Sequence, residues 1–326
     1  MTPTTAEQAA WFADTFNKLS ANIEQAVLGK SHVVRLALTC LLSEGHLLLE
    51  DFPGTGKTSL AKSLALTVQG AMGRIQFTPD LLPSDVTGTS IFDQRSGRFE
   101  FHKGPVFSTI LLADEINRAS PKTQSALLEV MEEGRVTVDG VSHPVGEPFM
   151  VIATQNPIEQ AGTYRLPEAQ LDRFLMKTDI GYPDQETTIT ILNDAAIRDR
   201  SAAVHPLITA AAVADMAKLA AGVHVNPAIL RYVAQIAEDT RGRRDVRLGL
   251  SVRGCLAYVR TAKTWAISEG RNYVVPDDIR ELALPVLGHR LLLEAEAEFA
   301  GRTVFDVIGS VLDEVRPPSD RELAPA

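Results

Sequence analysis

Three stretches of this 326-residue chain carry side chains of the kind that handle phosphate. The first is Asp51, Phe52, Pro53, Gly54, Thr55, Gly56, Lys57, Thr58 and Ser59. Glycines let backbone N–H groups turn toward phosphate oxygens, a lysine reaches the β and γ phosphates, and a hydroxyl ligates Mg2+. Gly54, Gly56, Lys57 and Thr58 supply those parts. The strict pattern GxxxxGK[ST] begins with glycine; Asp51 stands there instead, so its carboxylate is expected to point away from the phosphates. The second stretch, Thr109-Ile-Leu-Leu-Ala-Asp-Glu115, is an apolar run ending in two acids. Asp114 is placed to hold the water shell of Mg2+, and Glu115 to orient and polarise an attacking water. The third, Val151-Ile-Ala-Thr-Gln-Asn156, ends in an amide able to bond a γ-phosphate oxygen or the lytic water. Taken singly, each has a plainer reading: an accidental GxGKT in a loop, acids that favour a helix start, an Asn that caps a turn. Together they describe ATP hydrolysis.

Such residues act together only if the chain brings them to one place. RIQFT, STILLAD and FMVIATQ are short apolar stretches closing on polar residues, with helical segments such as KTQSALLEVMEEG between them. Buried strands covered on both faces by helices read this way, which predicts an α/β fold with a parallel sheet. The glycine-rich loop follows a short strand from about His46 to Leu49 and opens into a helix with Leu60, Leu64 and Val68 on one side. Two hairpins interrupt the pattern, TSIFDQRSGRFEFHKGPVF around Ser96-Gly97 and GRVTVDGVSHPVGEPF at Asp139-Gly140. From Thr187 onward Ala-rich helical periodicity prevails, with no comparable strand. The expected division is an N-terminal helix at 1–22, an ATPase core at 23–183, a helical domain at 184–316 and a frayed tail at 317–326.

Composition narrows the field. At 45% hydrophobic and 22% charged residues, the chain reads as folded, not disordered or fibrous. With 32 Lys+Arg against 41 Asp+Glu, the net charge of -9 repels a phosphodiester backbone, so nucleic acid is not the expected partner. No apolar run reaches the roughly 18 residues a membrane span needs, and MTPTTAEQAAWF lacks a signal-peptide layout. A cytoplasmic protein is expected. Cys40 and Cys255 read as buried thiols, and no histidine is assigned to a metal.

Longer runs carry a resemblance. LLEDFPGTGKTSLAKSLA, RIQFTPDLLPSDVTG, FEFHKGPVF, LLADEINRASPKTQSALLEVMEEG, VIATQNPIEQAGTYRLPEAQLDRF, GRNYVVPDDI and LGHR together resemble the MoxR family of AAA+ ATPases, from roughly Ile23 to Leu293. The resemblance implies an AAA+ P-loop core with a C-terminal all-helical lid, assembly into a ring, usually a hexamer, and ATP hydrolysis at subunit interfaces with Mg2+. It also implies chaperone-like remodelling of a protein client or metal insertion, commonly with a partner carrying a von Willebrand factor A domain. Arg173, in LPEAQLDRF, resembles the arginine finger that reaches the γ-phosphate held by a neighbouring subunit. Arg253, in GLSVRG, resembles the sensor-2 arginine of the lid, although the family more often has proline where Val252 stands. The hairpins from Phe92 to Phe107 and from Arg135 to Phe149 resemble the helix-2 and pre-sensor-1 insertions.

Several residues stay open between two readings. Arg173 could pair with Asp172 or Glu168 on its own helix, and Arg253 could lie on a solvated face. Gln76 is either a polar switch restraining Glu115 until a client binds or an ordinary strand-end hydrogen bond. Arg241, Arg243, Arg244 and Arg247 read as a solvated basic loop ahead of a phosphate or subunit grip. His289 matches a family position of unclear role, while Tyr164, Phe92, Phe99, Phe101 and Phe107 read as packing, with exposed members open to a client. Two rival functions remain: a nucleotide-gated binding module with little turnover, and a nucleic-acid motor of the same AAA+ branch, which the acidic LLLEAEAEF stretch disfavours.

Overall fold

The computed structural model of the chain describes residues 2–156, 163–194, 196–197 and 199–323. Residues 157–162 of the VIATQNPIEQAGT run and 324–326 of the expected tail lie outside them, as does Pro157, which follows Asn156. Backbone contacts divide the chain into two units, one of residues 18–173 and 178–214, the other of 1–17, 174–177 and 215–326. Helix α1, Ala6–Glu24, runs through the first division point.

The larger unit holds the parallel sheet. Its strands are β1 Leu47–Glu50, β2 Met72–Gln76, β5 Ile110–Asp114 and β8 Met150–Gln155, in the order β2-β5-β8-β1, while β9 Met176–Thr178 has its first two residues in the smaller unit. β5 is buried throughout and β8 up to Thr154, as strands covered on both faces require. Around them lie α2 Ser31–Leu42, α3 Lys57–Thr67, α4 Pro83–Thr87, α5 Pro121–Glu133, α6 Glu168–Leu171 and α7 Gln185–Asn193. Helix α3 turns Leu60 and Leu64 inward, with Val68 just past its end, and all three are fully buried. Helix α5 is punctuated at both ends: Ser120 caps it, Pro121 fills its first position, and Gly134 closes it at φ 63°. The two hairpins are β3 Gly88–Asp93 with β4 Arg98–Lys103, and β6 Arg135–Val138 with β7 Val141–Pro144. Phe101 of β4 stacks on His143 of β7 with centroids 4.2 Å apart, joining one hairpin to the other.

The smaller unit is built from α8 Ala210–Ala221, α9 Pro227–Gly242, α10 Val252–Ser268, α11 Pro276–Leu287, α12 Ala295–Phe299, α13 Val304–Glu314 and α14 Asp320–Leu323, the first of these beginning five residues before the division. A short antiparallel ladder, β10 Val246–Leu248 with β11 Leu292–Leu293, interrupts the helical pattern. Within the segment expected as a tail, residues 320–323 form α14, and Asn226 Nδ2 donates to Leu323 O at 3.0 Å. Of the arginine cluster, Arg243 departs from a solvated loop: it lies among the carboxylates of Asp239, Asp245 and Glu314, whereas Arg241, whose Nε donates to Leu250 O, Arg244 and Arg247 are exposed. Cys40 is buried, whereas Cys255 is only partly so, with its thiol pKa raised by burial. No helix among the described residues is long and apolar enough to cross a membrane.

Candidate nucleotide site

Register decides which side chains meet. Glu50 of β1 stands opposite Gln155 of β8, Ala153 of β8 opposite Ala113 of β5, and Asp114 of β5 opposite Gln76 of β2. All three pairings are parallel, so Asp51, Asn156, Glu115 and Gln76 emerge at one edge of the sheet, beyond the carboxyl ends of the strands.

The loop after β1 is set by one acid and two glycines. Asp51 is buried, at 2% exposure, and its N–H donates to Gln155 O, carrying the β1–β8 ladder one residue further. Its Oδ1 accepts from Phe52 N at 2.9 Å, and its Oδ2 accepts from Ile180 N at 2.7 Å and Gly181 N at 3.0 Å. The carboxylate is thus held by three backbone donors. Gly54 and Gly56 hold φ of 84° and 99°, a region costly for other residues, and a Cβ at either would meet nothing within 4 Å. The glycines are required by dihedral angle, and the loop's surface beside them is open. Gly56 caps α3, whose first turn carries Lys57, exposed Thr58 and Ser59. Lys57 Nζ reaches back to Asp51 O and Phe52 O at 3.1 and 3.2 Å. Thr55 is buried and donates to Phe52 O, Pro53 is exposed, and the Phe52 ring stacks parallel to Tyr182 with centroids 6.1 Å apart.

At the end of β5 the acids are held differently. Asp114 Oδ1 accepts from Thr154 Oγ1 at 2.8 Å, and its Oδ2 accepts from Arg74 Nη2 at 2.9 Å. The same Thr154 hydroxyl accepts from Glu115 N at 2.9 Å, so one buried hydroxyl positions both acids. Glu115 is in the left-handed region at φ 55°, unusual for a non-glycine residue and a common mark of functional turns. Its Oε2 accepts from Gln76 Nε2 at 2.9 Å and Arg118 Nη1 at 3.0 Å. Asn156 is buried just past β8. Arg173, after α6, pairs with Glu132 of α5 at 3.1 Å, a partner from a different helix than those expected. Within the smaller unit, Arg253 is exposed on the first turn of α10. Ser251 caps that turn, accepting from Gly254 N at 2.9 Å, so the helix starts at Val252 without the family's usual proline.

Sequence reasoning missed Thr154, Arg74, Arg118 and Glu132. Thr154 left a trace, a hydroxyl inside the apolar run VIATQ one strand away from two acids. The residues present fit a nucleotide phosphate with Mg2+: an open glycine loop at a helix N-terminus, a lysine above it, a hydroxyl on the first helical turn and a carboxylate across the edge.

A parallel sheet with such a loop at its carboxyl edge, in a chain that also holds a helical unit, defines a P-loop ATPase of the AAA+ class. Residues 46–176 match the ATPase family associated with various cellular activities, and residues 238–309 match the AAA lid domain. Chaperone MoxR1 of Mycobacterium tuberculosis is 39% identical over 97% of this chain and 86% of its own. Protein MoxR of Paracoccus denitrificans is 34% identical over 88% and 91%, and YeaC of Bacillus subtilis 44% identical over 93% and 95%. A crystal structure from Cytophaga hutchinsonii, assigned as an ATPase, superposes with a TM-score of 0.89 at 36% identity, covering 96% of this chain and 98% of that one. The chain belongs to the MoxR family of AAA+ ATPases.

Proposed function

We propose that the chain is a cytoplasmic, ring-forming ATPase, most simply a hexamer, that hydrolyses ATP at the contacts between copies and uses the motion to remodel a protein client. The observation that carries the reading is the meeting of the glycine loop, Asp114, Glu115 and Asn156 at one sheet edge in register. In this account the loop amides from Gly54 to Ser59 and the Lys57 ammonium bind the phosphates, and Thr58 and Asp114 hold Mg2+, which when bound neutralises phosphate charge. Glu115 polarises water, and Asn156 orients the γ-phosphate oxygen or that water. Arg173 reaches a neighbouring copy's nucleotide, where such a residue contributes roughly 10^3 to 10^5 in rate. Arg253 reports nucleotide state to the helical lid, with 23–183 acting as core and 184–316 as lid. The name of the Mycobacterium tuberculosis relative, a chaperone, supports a protein client; metal insertion, and a partner with a von Willebrand factor A domain, are what the family resemblance adds. Net charge disfavours nucleic acid as cargo.

Phosphate release and ATP binding, measured for wild type, Glu115→Gln and Arg173→Ala, test this reading. Both variants should bind ATP and lose at least about 100-fold in turnover. Near wild-type turnover by Arg173→Ala contradicts the assignment. The hold of Gln76 and Arg118 on Glu115 favours a second reading, a nucleotide-gated binding module; equal low rates in wild type and Glu115→Gln would select it.

A further inference from the structure

His289 and Arg290 follow α11 and are buried, at 6% and 7% exposure. Both direct donors at the backbone that immediately follows Arg173, a segment that clusters with the smaller unit. His289 Nε2 lies 3.0 Å from Phe174 O, and since a carbonyl only accepts, Nε2 carries the proton. Burial, with the Arg290 charge beside it, pushes the imidazole pKa well below its ordinary value, so the ring is neutral. Arg290 Nη2 donates to Phe174 O at 2.6 Å and Nη1 to Leu175 O at 3.1 Å, while Nη1 also donates to Val286 O in the last turn of α11. Two successive carbonyls after Arg173 are therefore gripped from one pair of residues, and the side chains of Phe174, Leu175 and Met176 are buried at 0%, 2% and 0% exposure.

The stem of Arg290 has a second neighbour. A Cβ added to Gly254 would lie 3.0 Å from Arg290 Cδ and 2.5 Å from Leu250 Cδ1, so glycine there makes room for the arginine. Gly254 directly follows Arg253 on the first turn of α10. A buried guanidinium is expensive to desolvate unless its fork is used, and here the fork reaches the residues after Arg173 while its stem rests on the residue after Arg253.

We propose that Arg290, seconded by His289, is a positioning residue that ties the backbone after Arg173 to the first turn of the helix bearing Arg253, so that a nucleotide-driven shift of one arginine is passed to the other. The inference rests on the roles given above to Arg173 and Arg253. Helix α10 keeps its own Ser251 cap when Arg290 is lost, so the damage should fall on Arg173, which serves a neighbouring copy, and spare the ATP site of the same chain.

Full-length chains mixed in pairs test this. Arg290→Met alone should lose about 100-fold in turnover, the scale on which small displacements of a reacting group act, with ATP affinity unchanged. Mixed with Glu115→Gln chains it should regain turnover, because its intact Glu115 then meets the intact Arg173 of the other variant. The control mixture, Arg173→Ala with Glu115→Gln, should regain turnover for the same reason. If the control recovers and the Arg290→Met mixture does not, Arg290 is merely structural and the proposal falls while the shared site stands. If the control itself does not recover, the shared site falls and this proposal with it. Should Arg290→Met not fold, His289→Leu and His289→Gln provide the same contrast: the glutamine amide can still donate to Phe174 O, so it should recover most of the turnover that leucine loses. Equal losses in the two would overturn the positioning role.

Discussion

The turns that follow β1 and β5 each carry an acid at the same sheet edge, and the two acids are held in opposite ways. Asp51 is bound by three backbone N–H groups, from Phe52, Ile180 and Gly181. Glu115 is bound by two side chains, Gln76 and Arg118, at a single oxygen. Backbone donors cannot swing away without unfolding the loop; side-chain donors can change rotamer on the nanosecond scale. An acid in the first setting is an anchor that shapes the phosphate loop, and one in the second can be released to work on water. Position at the sheet edge alone does not distinguish them.

Of the two acids, Glu115 should therefore have the larger effect on rate: Glu115→Gln should lower phosphate release about 10^2- to 10^4-fold with ATP still bound, because an amide cannot take up proton density from water. Loss of less than threefold would remove Glu115 from the chemistry. Asp51→Ala should strike stability instead. It leaves three donors without their acceptor, at about 3 kcal/mol in total, which thermal unfolding would read as a clear drop in Tm. An unchanged Tm would show that the carboxylate is no anchor. Gln76→Ala removes one of the two restraints on Glu115 and should raise client-free turnover about fivefold, the equivalent of one hydrogen bond of about 1 kcal/mol. A fall in turnover would mean that Gln76 holds Glu115 in its working position.

His289 extends the contrast to the other unit with the smallest effect. Its folded pKa is depressed by burial, so the unfolded chain takes up a proton near pH 6.5 that the folded chain refuses, and stability must fall as pH drops below that value. Wild type should lose about 1 kcal/mol between pH 7.5 and 6.0 that His289→Gln retains. Parallel pH curves for the two would contradict the buried neutral ring.

Much of this site was legible in the sequence, for a physical reason. Gly54, Gly56 and Lys57 announce a loop because phosphate binding fixes both dihedrals and residue types, and Asp114 and Glu115, closing STILLADE, announce a strand end because apolar runs stop where the sheet does. What could not be read were the partners. Ile180 and Gly181 reach Asp51 through backbone N–H groups 129 and 130 residues away, and a backbone donor leaves no mark on residue type. The grip of His289 and Arg290 on Phe174 O is hidden for the same reason, since its acceptors are carbonyls that any sequence would supply. Arg243 misled in the other direction, because Asp239 and Asp245 are near it in sequence but Glu314 arrives only through the fold.

The central claim is that the ATP site is completed by a second copy of the chain. ATP turnover per chain, followed across a dilution series with the assembly state measured at each concentration, tests it most directly. Turnover should fall in step with the assembled fraction and vanish in isolated copies. Isolated copies that hydrolyse ATP at the undiluted rate would contradict it.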